Sequence, residues 1–190
     1  MTRLLVRGSS FIAAAIVAVG MGTDRAAAQE AFADVRAIVE FQRAADTYAF
    51  MHRQVERRLG QEHRRRGQPA DVIEAAELAT AIVTGRSNGS ESALFTPRVA
   101  DAFRRLSARA AREPGCNPGE LRSGVWALRQ VNSSAAGTTP LTPCLANALP
   151  ALPDELEYRS AGTMLVLVDS HAHLIVDILP ALLAGSDLRH

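Results

Sequence analysis

The sequence predicts an α+β protein: an N-terminal helical half of about three helices, packed against a small antiparallel C-terminal sheet that is closed by a final short helix. Three observations carry this expectation. Apolar residues recur every three or four positions from residue 30 to about residue 110. Beyond Gly115, Gly and Pro become frequent and that periodicity is lost. Residues 156–168, LEYRSAGTMLVLV, then present two strand-like runs separated by a Gly-centred turn.

The first 28 residues read as a signal peptide. Arg3 and Arg7 supply a positive start, and residues 11–21 form an uncharged apolar run that is short of the roughly 20 residues a bilayer span needs. Ala26, Ala27 and Ala28 offer the small residues a signal peptidase reads, which places cleavage after Ala28 and leaves residues 29–190 as one mature domain. The protein is therefore expected to be exported, to the periplasm or the outside of a bacterial cell. No later stretch is apolar enough to cross a membrane.

The first helix is expected over residues 30–66. Phe32, Val35, Ile38, Phe41, Ala45, Tyr48, Met51, Val55 and Leu59 form one stripe, with Gly60 as a point of interruption. Arg64, Arg65 and Arg66 suit a solvated helix C-terminus. A second helix fits residues 69–84, opened by Pro69 and stopped by Gly85. A third starts with Thr96 as N-cap and Pro97 at its first position, and ends before Glu113. Residues 125–131, VWALRQV, read as a strand around a core Trp126, and residues 144–149 as a short helical turn. Strands are expected at residues 156–160 and 164–168. A final helix from Ser170 would have Asp169 as its N-cap and Leu174, Ile175, Ile178, Leu179 and Leu182 as its apolar stripe. The competing reading continues the strand and places Asp169, His171 and His173 on one face.

Composition removes several chemistries. All 21 basic residues are Arg. Without Lys there is no P-loop lysine, Schiff base or Ser–Lys dyad. Losing three Arg and one Asp with the leader takes the net charge from +1 to about −1, which is not the basic excess of a nucleic-acid binder. Cys116 and Cys144, the two cysteines, are expected to pair in an oxidising compartment and to close a loop worth about 3 kcal/mol.

Few residues offer a site. Asp169-x-His171-x-His173 is the sharpest candidate: two imidazoles and a carboxylate that could hold a divalent metal such as zinc, with Asp177 beyond. The bland alternative has Asp169 capping a helix and the histidines in its first turn. His52 and Glu56, an i, i+4 pair with Tyr48 one turn earlier, are further possible ligands, or a base with its orienting carboxylate. His63 lies among charges and is expected to be solvated, and His190 is expected to fray. Gly85-Arg86-Ser87-Asn88-Gly89 matches the nucleophile-elbow pattern but follows a helix rather than a strand, so it is rejected. Asn88-Gly89-Ser90 and Asn132-Ser133-Ser134 are glycosylation-type triplets of exposed loops.

Two blocks resemble a family of small exported bacterial proteins of unknown function. These are residues 149–159 (LPALPDELEYR) with Gly162 and residues 165–177, and residues 94–103 (LFTPRVADAF). The resemblance implies export but no activity. It also implies Asn in the place of His173 in many members, so a two-histidine site would not be their shared chemistry.

The leading expectation is a non-enzymatic envelope or secreted protein acting through binding, with no catalytic residues and no cofactor. The alternative is a metal-binding protein or metal-dependent hydrolase using Asp169, His171 and His173. The residue 32–59 stripe would suit an envelope protein or a membrane surface as partner; nucleic acid is not expected.

Overall fold

The computed structural model describes residues 21–69, 73–87, 93–118, 121 and 130–183, with side chains from residue 28 onward except at Ser87. The chain divides into two compact units, Met1–Phe32 and Ala33–His190. In the first, residues 21–32 are helical. The core and the site described below belong to the second.

Among the described residues, four helices and four strands follow in the order α1 (Met21–Arg65), α2 (Ala75–Ser87), α3 (Pro97–Ala110), β1 (Thr139–Pro140), α4 (Pro143–Ala146), β2 (Leu156–Ala161), β3 (Met164–Asp169) and β4 (Leu174–Leu179). The α+β class expected from the sequence is what forms. α1 runs without interruption past Gly60 and begins before the expected cleavage point. Thr96 caps α3, its hydroxyl accepting from the Val99 N–H, with Pro97 at the first helical position. Cys116 and Cys144 are joined in a disulfide. Among the described residues, no helix is long and apolar enough to cross a membrane.

The strands form one antiparallel sheet in chain order, β1-β2-β3-β4. β3 is buried on both faces because its alternate side chains enter two cores. Leu165 and Leu167 pack with the helices, while Val166 and Val168 join Ala135, Ala161 and Ile175 on the other side. β1, which contains Pro140, is a short edge strand, the position in a sheet where a missing N–H costs least.

The expected final helix is not there. Residues 170–173 turn, and β4 returns along β3. Leu167 pairs with Asp177 and Val168 with Ile175, so Val176 is the extra residue of a β-bulge. The bulge resets the alternation. Leu174, Val176 and Leu179 meet the helical core, Ile175 and Ile178 the other, and Asp177 faces α3, where its carboxylate accepts from the Phe95 N–H at 2.8 Å. Asp177 thus anchors the chain entering α3 and is not part of a metal site.

α1 is the helix the core is built on. Phe41, wholly buried, packs with Phe95, Phe103 and Tyr158 at ring-centroid separations of 5.9, 4.8 and 6.4 Å. Burying such a ring contributes about 1.5–3 kcal/mol. Ala45, Tyr48, Ala49, His52, Val55 and Leu59 continue the buried face toward the C-terminus. The expected stripe is therefore covered from Phe41 onward but open at Val35, 57% exposed. Buried Asp34, beside it, receives the guanidiniums of Arg105 and Arg109.

Two further expectations change. His63 is buried rather than solvated: its imidazole meets the Pro69 carbonyl and, at 3.0 Å, the Glu77 carboxylate, tying the end of α1 to α2. Gly85 does not stop α2, which continues to Ser87, so the rejected elbow motif begins inside a helix. Of the expected strand at residues 125–131, Gln130 and Val131 are described and neither is in a strand, Val131 lying in a turn. Residues 125–129 with Trp126, Asn88-Gly89-Ser90 and His190 lie outside the described residues.

Candidate metal centre

The site forms where the end of β3 meets the middle of α1. Strand parity places Asp169 on the helix side, in step with Leu165 and Leu167. On α1, Tyr48 and His52 are four residues apart and share the buried face, so both reach the same carboxylate. Asp169 Oδ2 accepts from the Tyr48 hydroxyl at 2.7 Å and from His52 Nδ1 at 2.6 Å. Its other oxygen accepts from the backbone N–H groups of His171 and Ala172 at 3.0 and 2.8 Å, which fixes the turn after β3. All four of these bonds end on a fully buried side chain.

That turn brings His171 back over α1, its ring centroid 5.2 Å from that of His52. His52 Nε2 and His171 Nδ1 each lie 3.3 Å from Glu56 Oε1. His52, Glu56 and His171 can each offer one ligand atom, all within 4.8 Å of one another.

The electrostatics are set by burial and by Asp169. Burial alone would raise the Asp169 pKa, but the bonds from His52, the Ala172 N–H and Tyr48 together lower it, so the carboxylate is charged. Burial alone would lower the His52 pKa; the Asp169 bond and charge, then Glu56, raise it overall. The Tyr48 hydroxyl is pushed well above its ordinary value by burial and by Asp169, and so remains a donor. The Arg86 guanidinium lies 5.7 Å over the Tyr48 ring and steadies it.

Because His52 Nδ1–H donates to Asp169, a neutral imidazole keeps its lone pair at Nε2. That atom is buried and has no hydrogen-bond partner. It faces a carboxylate oxygen 3.3 Å away, two electron-rich atoms that repel unless a cation or a proton lies between them.

The sequence candidates are therefore divided. His171, His52 and Glu56 come together. Asp169 is beside them, but both of its oxygens are occupied, so it orients His52 instead of ligating. His173 is elsewhere: it is exposed, has φ +50°, and lines a separate depression beside α2, whereas His171 lines a cavity with Glu56. Neither reading of the histidine turn, helix or continued strand, describes it. Sequence reasoning did not pair Tyr48 with Asp169, since 121 positions separate them.

Among known proteins, no protein-family model, no curated protein and no solved structure matches the chain.

Proposed function

We propose that this is an exported binding protein that takes up a divalent metal of the zinc class at His52, Glu56 and His171. The observation that carries the reading is the buried Nε2 of His52, which makes no hydrogen bond and which the Asp169 contact at Nδ1 turns toward a Glu56 oxygen 3.3 Å away. The spacing supports it. Two ligands of a tetrahedral zinc ion, with bonds near 2 Å, sit roughly 3.3–3.4 Å apart. His52–Glu56 and His171–Glu56 already have that separation, 3.3 Å in each case. Three protein ligands leave a position open toward the cavity that His171 and Glu56 line.

Binding fits better than hydrolysis. A metal hydrolase needs a second group to hold a proton at the bound water. Of the described residues lining the cavity, Glu56 is the single carboxylate, and it serves as a ligand here. Export rests on the leader-like residues 1–28 and on the disulfide; kinship with small exported bacterial proteins, through residues 94–103 and 149–177, belongs to the same proposal.

Thermal unfolding with and without Zn²⁺ tests the reading. At about 100 times Kd, zinc is expected to add about 2.7 kcal/mol, or about 5–10 °C in Tm. Glu56→Ala, at a half-exposed position, should fold and lose that shift. An equal shift in both proteins, or none in either, would overturn the assignment.

A further inference from the structure

The cavity beside the triad has a chemistry of its own. Its volume is about 570 Å³, and Arg57, Gln61 and Arg64 of α1 line it together with Ile73 and Leu78. Arg57 and Arg64 are seven residues apart, two helical turns, so their stems rise about 10.5 Å from each other on nearly the same face. Neither guanidinium makes an ion pair among the described residues, whereas Arg53, one turn earlier on α1, pairs with Glu155. Gly60, on the turn between them, contributes no side chain to fill the space. With Glu56 committed to the metal, the cavity holds two positive charges, an amide and an apolar wall from residues 73 and 78.

We propose that this cavity receives a small oxyanion, a carboxylate or phosphate group, which completes the metal's coordination through one oxygen while Arg57 and Arg64 hold its charge. The inference rests on the metal reading, because the open coordination position faces this cavity. Two guanidiniums suit such a ligand: each offers a planar pair of N–H donors that matches the oxygens of a carboxylate or phosphate. Gln61 between them adds a neutral donor. Ile73 and Leu78 give room for a small apolar body carrying the anionic group.

Co²⁺ makes both steps visible. The protein loaded with Co²⁺ would be titrated separately with inorganic phosphate and with acetate while its visible absorption is recorded. A saturable band shift with either anion is expected, and the anion that produces it names the source. The Arg57→Ala/Arg64→Ala variant should bind Co²⁺ at least as well as the wild type, since it loses no ligand atom and removes positive charge from beside the cation. It should bind the anion about tenfold more weakly or worse. Normal Co²⁺ uptake with no shift by either anion, or an equal shift in the double variant, would overturn the oxyanion site and leave the metal site standing. Failure to take up Co²⁺ at all would overturn both.

Discussion

Asp169 and His52 lie 117 positions apart in the chain and meet at 2.6 Å, both fully buried, where the last residue of β3 touches the middle of α1. The carboxylate that closes the sheet's second hairpin also sets the tautomer of the imidazole. Folding and the site's chemistry therefore depend on one side chain. Asp169→Ala would strand the Tyr48 hydroxyl, His52 Nδ1 and two backbone N–H groups, and is expected to cost about 3–5 kcal/mol. Asp169→Asn keeps the shape but not the charge; in a folded variant, metal affinity should fall by about 10–100-fold. Urea unfolding and competitive zinc titration measure the two effects, and wild-type values in both would refute the role given to Asp169.

The face of α1 that carries the core can be told from the face that does not by two phenylalanines. Phe41→Ala removes the ring shared by Phe95, Phe103 and Tyr158, and should cost about 3–5 kcal/mol in chemical denaturation. Phe50 is 56% exposed, and Phe50→Ala should change stability by no more than about 0.5 kcal/mol. Comparable losses in the two variants would mean that the helix is turned differently.

The tie between His63 and Glu77 gives a pH dependence of known sign. The Glu77 hydrogen bond raises the His63 pKa, burial works against it, and the Pro69 carbonyl adds to the rise. The folded value is above the ordinary histidine value of about 6.5. Stability from this tie is therefore fully present below about pH 6.5 and is lost as pH rises through the folded pKa. The Tm difference between wild type and Glu77→Gln should be largest near about pH 6 and shrink toward alkaline pH. A gap that widens with pH would contradict the assignment.

The disulfide joins residues 28 positions apart, linking the segment after α3 to α4. Replacing both cysteines by Ala should cost about 3 kcal/mol, or about 6–12 °C in Tm. An unchanged melting curve would show that the native contacts around Cys116 and Cys144 hold the loop without it.

Much of this fold could be read from local signals. Thr96 with Pro97 announced α3, Gly162 announced the hairpin, and two lone cysteines announced their bond. Residues 174–182 were misread for a physical reason. β4 is buried on both faces and carries a bulge at Val176, so Leu174, Ile175, Ile178 and Leu179 fall at intervals that imitate a helical stripe. The bulge depends on pairing with β3, which no local pattern reports. His173 misled in the same way. Its φ of +50° places it in left-handed backbone, where His and Asn are enriched, so the turn itself accounts for the residue without any ligand role. Of the site, the pairing of His52 with Glu56 was legible from their i, i+4 spacing. Their convergence with His171 and the capture of Asp169 by Tyr48 arise from tertiary packing alone.

Metal content per chain tests the central claim most directly. Protein purified without a polyhistidine tag, equilibrated with Zn²⁺ and freed of excess ion, would be assayed by elemental analysis beside Glu56→Ala and His173→Ala. About one zinc per chain is expected in the wild type and in His173→Ala, with little in Glu56→Ala, as three ligands and an open position require. No bound zinc in the wild type, or zinc that depends on His173 and not on Glu56, would contradict the site described here.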